Sequence, residues 1–194
     1  MTTPIEFWFD FASPYSYPAA MAIEARAVGR EVRWRPVTMG PIFADLGWTD
    51  SPFNLQPAKG RYMWRDMERI CAAEGLAFHR TDPFPPNTVL AARLAIVALE
   101  RTWGPDFCRA VFHAEFAGQK DVADPDVLAG LITDCGGDAD TVAAAALSTA
   151  NKPRLRVAVE EARRKGIFGA PTFVIEGEVF WGFDRLEAAL AWPV

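Results

Sequence analysis

The segments that can form strands lie only near the two ends of this chain, and that arrangement constrains its fold most. Ile5-Glu6-Phe7-Trp8-Phe9 is an aromatic-rich run suited to a buried strand. Near the other end, Thr172–Ile175 and Val179–Trp181 are joined across Glu176-Gly177-Glu178, a short glycine-containing connection that predicts a hairpin. After the first strand, Ser13-Pro14 is a favoured helix start and predicts a helix running towards Gly29. Val32–Val37 then alternates apolar and charged residues as a second strand. From about Pro52 to Lys165 the pattern turns to Ala, Leu, Arg and Glu at helical spacing. It predicts helices over Arg61–Glu74, Asn87–Thr102, Asp106–Gly118, Asp126–Cys135, Thr141–Ala150 and Leu155–Lys165. A last helix over Asp184–Leu190 closes the order β-α-β, helical block, β-β-α. The expected fold is therefore α/β, a mixed sheet built from 1–51 and 166–194, with 52–165 as a large all-helical insertion.

Composition excludes several classes. With 51% apolar and 23% charged residues over 194 positions, the chain can bury a core, which argues against disorder. Its net charge of -5 includes no basic block of the kind that engages phosphates, so no nucleic-acid partner is expected. Its longest apolar runs, such as Leu94–Leu99 and Val142–Leu147, are far short of the ~20 residues that span a bilayer. Met1-Thr2-Thr3-Pro4 lacks the basic and apolar parts of a secretory signal, so the cytoplasm is the expected location.

Cys71, Cys108 and Cys135 are scattered, without a Cys-x-x-Cys pair, and read as reduced buried thiols. His79 and His113 have no His or Cys at ligand spacing, so no metal site is expected.

Two segments can carry chemistry. Ser13 lies just past the carboxyl end of a buried strand, at a helix start where backbone N–H groups and the helix dipole favour an anion. As a simple helix cap it needs no function, and as a nucleophile it lacks a nearby His base. A hydroxyl that donates to the anion of a bound molecule needs no such partner. Gly169-Ala170-Pro171-Thr172 precedes a strand, where Gly and Pro ordinarily mark a turn. If Pro171 were cis, the backbone of Ala170 would face a ligand instead of the sheet.

Taken together, five blocks in order resemble one family: Asp10-Phe11-Ala12-Ser13-Pro14-Tyr15-Ser16-Tyr17, Asn54–Lys59, Phe84–Thr88, Phe168–Phe173 and Phe180–Leu186. The chain resembles DsbA-like thioredoxin-fold proteins in which Ser13-Pro14-Tyr15-Ser16 replaces the Cys-x-x-Cys. More narrowly it resembles the 2-hydroxychromene-2-carboxylate isomerases and kappa-class glutathione transferases. The resemblance implies a thioredoxin-like sheet, glutathione as cofactor and a homodimer. It also implies that Ser13 hydrogen-bonds the glutathione sulfur at the positive end of the first helix, beside Pro14 and Tyr15. Asn54 and Lys59 match positions that hold the polar ends of the tripeptide, and Ala170 before Pro171 offers its backbone to the cysteinyl unit. Phe183, Asp184 and Arg185 lie towards the γ-glutamyl end. On their own, Asp184 reads more commonly as a helix N-terminal carboxylate and Lys59 as a solvated surface lysine; the resemblance reverses that preference.

Two positions depart from the family pattern: Phe183 stands where a small or polar residue is expected, and Ala170 where Val or Leu is common. For the second substrate the insertion offers Trp48, Phe53, Tyr62, Trp64, Phe84 and Trp103, most of them expected in the core, with Arg65 and Arg93 as possible carboxylate partners. Phe84 and Asn87 are the preferred substrate-side residues.

The resemblance implies a glutathione-dependent isomerase. Its substrate would be 2-hydroxychromene-2-carboxylate, converted to trans-o-hydroxybenzylidenepyruvate as in breakdown of naphthalene-like aromatics, or a related unsaturated aromatic keto acid. A conjugating transferase and a thiol-binding protein without turnover are the alternatives. Disulfide exchange is disfavoured because it needs sulfur at the positions of Ser13 and Ser16.

Overall fold

The two ends of the chain meet in one sheet. The computed structural model describes residues 3–193; Met1 and Thr2, part of the N-terminal stretch read above for a signal, and Val194 lie outside the described residues. Strands β1 (Ile5–Phe9), β2 (Val32–Pro36), β3 (Thr172–Ile175) and β4 (Glu178–Trp181) are ordered β2-β1-β3-β4. β2 runs parallel to β1, while β3 is antiparallel to both β1 and β4. The register sets Phe7 opposite Trp34 on one side and Phe173 on the other. This is the mixed α/β sheet expected from the order of the elements.

β1 is an interior strand: Ile5, Phe7, Trp8 and Phe9 are all fully buried, and Glu6 is the one polar side chain among its five residues. Ile5, Phe7 and Phe9 join a core with helices α1 (Ser16–Arg26), α4 (Pro57–Ala73), α5 (Val89–Ala98), α6 (Gly104–Phe116) and α10 (Leu186–Leu190). Trp8 points the other way. It packs with Val37, Val174, Ile42 of α2 (Gly40–Asp45) and Val159 and Ala162 of α9 (Lys152–Arg164). The short α3 (Pro52–Leu55), α7 (Pro125–Asp134) and α8 (Ala139–Leu147) complete the helices of the described residues. Phe7, Phe9, Phe107, Phe112, Phe116 and Phe173 are fully buried in the first core, each worth roughly 2 kcal/mol in transfer from water.

Several boundaries differ from the sequence expectation. α1 begins at Ser16, not at Ser13-Pro14, because Ser13–Tyr15 forms a turn in which the amides of Ser16 and Tyr17 donate to the carbonyls of Ser13 and Pro14 at 3.0 and 3.1 Å. Ser13 therefore does not cap the helix with its side chain. α4 starts at Pro57 rather than Arg61, since Pro suits the first helical turn after the extended Gln56. α2 and α3 were not foreseen; each is too short for a periodicity to show. A single 3₁₀ turn, Phe183–Arg185, precedes α10 where one continuous helix from Asp184 was expected.

Candidate active site

A cleft of about 1350 Å³ opens where the carboxyl end of β1, the start of α1, the loop before β3 and the helical insertion converge. Its chemistry begins at the turn after β1. Asp10 ends the strand; its carbonyl accepts from the Ser13 amide at 2.9 Å, and its Oδ1 accepts from the Ala12 amide at 2.9 Å. These bonds fold Phe11–Tyr15 back so that Ser13, Pro14 and Tyr15 all face the cleft. The Ser13 hydroxyl donates to the carbonyl of Ala170 at 2.8 Å. The Ala170–Pro171 bond is cis, and both residues line the cleft beside Ser13.

Asp10 is the group whose role sequence reading missed. It is 6% exposed, and besides Ala12 it accepts from the Met39 amide at 2.7 Å and the Thr88 hydroxyl at 3.2 Å. One carboxylate thus ties the Ser13 turn to the loop after β2 and to the start of α5. Burial pushes its pKa up, against the lowering effect of these three donors. The signal was its place at the carboxyl end of a buried strand, three residues before Ser13.

The α4 side of the cleft is a stripe. Lys59, Tyr62, Asp66 and Ile70 recur at helical spacing and all line it, a pattern that the sequence displayed but that was read only for Lys59 and Tyr62. Asp66 accepts from the Tyr15 hydroxyl at 3.0 Å. Burial first, then Asp66, pushes the Tyr15 phenol far above its usual range. Phe53 stands under Lys59, whose Nζ lies 5.6 Å from the ring centre. On the opposite wall Trp181 packs over Gly169 and against Phe168, ring centres 5.0 Å apart.

Ser13, Pro14, Tyr15, Lys59, Phe84, Asn87, Ala170, Pro171, Phe183, Asp184 and Arg185 are brought together on this one cleft. Asn54 is not: its amide donates to the Phe84 carbonyl at 2.8 Å and to Asp50, so it holds the Phe84 loop from behind. Phe183 lines the cleft, yet its ring also packs on the main core under the Arg26 guanidinium, 5.3 Å away. Of the aromatic set, Trp48, Phe53, Tyr62 and Phe84 reach the cleft. Trp64 instead packs edge-on behind Phe84 at 4.9 Å, and Trp103 packs on Phe107. Arg65 and Arg93 lie outside the lining; Arg65 is bound to Glu68 at 2.7 Å.

The three cysteines lie outside the cleft lining. Cys71 and Cys108 are buried, and burial pushes the Cys71 thiol up to about 12, where it is neither nucleophile nor redox group at neutral pH. Ser16, the last residue of the Ser-Pro-Tyr-Ser turn, is fully buried, its Oγ without a hydrogen-bond partner among the described residues. Ser13 alone of the two serines lines the cleft.

A DSBA-like thioredoxin domain matches residues 4–191. The chain belongs to this DSBA-like thioredoxin family. Within it, the chain is 30% identical over 190 residues to a 2-hydroxychromene-2-carboxylate isomerase of Sphingobium xenophagum, covering 96% of each. A 2-hydroxychromene-2-carboxylate isomerase of Pseudomonas putida is 24% identical, over 94% of this chain and 90% of that one. The fold is shared with a solved 2-hydroxychromene-2-carboxylate isomerase at a TM-score of 0.81 and 21% identity, over 95% of this chain and 91% of the other.

Proposed function

We propose that this chain is a glutathione-dependent isomerase of an unsaturated aromatic carbonyl compound, of the 2-hydroxychromene-2-carboxylate isomerase type. One observation carries the reading: a hydroxyl, that of Ser13, stands in the cleft at the positive end of α1 and beside the Ala170 backbone, where this fold otherwise presents a reactive cysteine. The residues present fit glutathione. Lys59 and Arg185 are cations for its two carboxylates, Asp184 an acceptor for its ammonium, and the backbone of Ala170 a partner for its cysteinyl unit. The cleft is also larger than a drug-sized pocket of roughly 300–1,000 Å³, which leaves room for a second, aromatic molecule.

When bound, glutathione supplies a thiolate that adds reversibly to a polarised C=C bond, so that the bond can rotate before elimination restores it. The part played by the chain is electrostatic and positional. α1 carries no acidic residue in its first turn, so its dipole favours negative charge at Ser13. The Ser13 hydroxyl, with a single proton, would donate to the bound sulfur in place of the Ala170 carbonyl, and the Ala170 backbone so released would hold the cysteinyl unit. Both effects hold the sulfur as thiolate below the ordinary thiol pKa of ~8.5. Trp48, Phe53 and Phe84 receive the aromatic ring and exclude water. No cysteine of this chain is required, and nothing is oxidised. The cytoplasm, where reduced glutathione is abundant, and a homodimer are part of the same proposal.

The test is glutathione titration by calorimetry, followed by ultraviolet assay of 2-hydroxychromene-2-carboxylate and of (Z)-benzylideneacetone with and without glutathione. The expected result is saturable binding and a product of unchanged mass formed only with the thiol. A product heavier by one glutathione makes the protein a transferase, and no binding removes the reading.

A further inference from the structure

Charge is divided unevenly on the cleft wall. Among the described residues the cations that line it are Lys59 and Arg185, against the carboxylates of Asp10, Asp50, Asp66 and Asp184. The acids are held mainly by neutral donors: Asp50 by the Ser51 amide and Asn54, Asp66 by the Tyr15 hydroxyl, Asp10 by Ala12, Met39 and Thr88. Only Asp184 faces a cation of the wall, Arg185, at 3.6 Å. The arginines that the sequence offered for a substrate carboxylate, Arg65 and Arg93, do not reach the cleft.

Glutathione brings two carboxylates and one ammonium. On the reading above, which this inference rests on, those carboxylates use Lys59 and Arg185 and the ammonium uses Asp184. We infer that the loaded cleft has no cation left, and that the second substrate it selects is a neutral aromatic enone or enal, a carboxylate on that substrate being a liability. A carboxylate arriving second would have to share Lys59 or Arg185, or sit unpaired near Asp50, Asp66 and the thiolate in a partly desolvated site. A neutral ring and ketone need no cation: the ring packs on Trp48, Phe53, Tyr62 and Phe84, and uncharged groups such as Thr49, Ser51 and Asn87 line the same cleft. The 2-hydroxychromene-2-carboxylate named for the relatives carries the charge that this wall does not answer.

Equilibrium binding isolates the effect from reactivity. Two unreactive probes that differ in one carboxylate, 4-phenylbutan-2-one and 2-oxo-4-phenylbutanoate, are titrated by calorimetry into the free protein and into protein saturated with S-methylglutathione. The ternary complex is expected to bind the ketone at least about tenfold more tightly than the keto acid. S-methylglutathione is expected to weaken the keto acid more than the ketone, a difference that shrinks in high salt. Asp66→Asn, which keeps an oxygen for the Tyr15 hydroxyl, should narrow the discrimination several-fold. Equal or tighter binding of the keto acid in the ternary complex overturns the inference while leaving the glutathione reading intact. Failure of S-methylglutathione itself to bind overturns both, and is recognised in the first titration.

Discussion

The Ser13 hydroxyl and the Ala170 carbonyl are hydrogen-bonded at 2.8 Å although 157 positions separate them along the chain. The bond joins the first turn of the protein to its last strand pair, and on the proposed function its single proton is the one that a bound glutathione sulfur would take. Ser13→Ala removes the donor but leaves Ala170 at the mouth of a cleft, where water can satisfy the carbonyl. Stability should therefore fall by only about 1 kcal/mol. The loss appears in chemistry: without a hydrogen bond to the charged sulfur the bound thiol should titrate roughly 1–2 units higher. Turnover at pH 7 should then drop by about tenfold or more and recover as pH rises. A pH profile of kcat/KM identical to that of the parent protein would contradict this role.

Asp10 positions the Ser13 turn instead of meeting the ligand first. Asp10→Ala strands the Ala12 and Met39 amides and the Thr88 hydroxyl, which should lower stability by roughly 2–4 kcal/mol and slow turnover with it. Asp10→Asn keeps one acceptor oxygen but turns an NH₂ towards another donor, and should fall between the two. Chemical denaturation beside kcat/KM on all three proteins checks the order.

Lys59 is exposed at the rim, resting on the Phe53 ring. Lys59→Ala should weaken glutathione about three- to tenfold, the range of a solvated charge pair, with kcat nearly unchanged. Calorimetry and a KM-against-kcat comparison read the two effects apart.

Glu115 supplies the clearest pH dependence of stability. It is buried near the end of α6, and burial, followed at some distance by Asp121, pushes its pKa up to about 7 against the lowering effect of the Val122 amide. The folded state thus holds its proton more tightly than the unfolded chain does. That stabilisation is full below the unfolded pKa near 4.5 and is lost as pH rises towards about 7. Glu115→Gln should flatten the decline and leave the variant more stable than the parent by about 1–3 kcal/mol at pH 8. Melting temperatures from pH 5 to 8 measure it.

Gly60 lets α3 lie directly on α4. A Cβ there would collide with the Phe53 backbone carbonyl, which cannot give way as a side-chain end could. Gly60→Ala should cost about 1–3 kcal/mol despite its better helix propensity. Because the collision pushes on the segment that carries Phe53 and precedes Lys59, glutathione affinity should fall as well.

The sequence by itself determined the elements and their order. Ile5–Phe9, Thr172–Ile175 and most of the helices were legible because apolar periodicity is a local property that burial on one face or two imposes residue by residue. It also displayed Ser13, Ala170 and Pro171, since turn chemistry leaves its mark on a few neighbouring letters. The partnerships were decided by the tertiary structure. Ser13 with Ala170, Asp10 with Thr88 and Tyr15 with Asp66 lie 157, 78 and 51 residues apart, and no spacing rule couples such pairs. The same limit sent the Asn54 amide to the Phe84 carbonyl, away from the cleft that residue type alone had suggested, whereas Arg65 met Glu68 three residues on along α4, a pairing that helical spacing does display. A side chain's chemistry is written in its letter. Whether that chemistry faces a ligand, a neighbour or water depends on packing, which only the folded chain specifies.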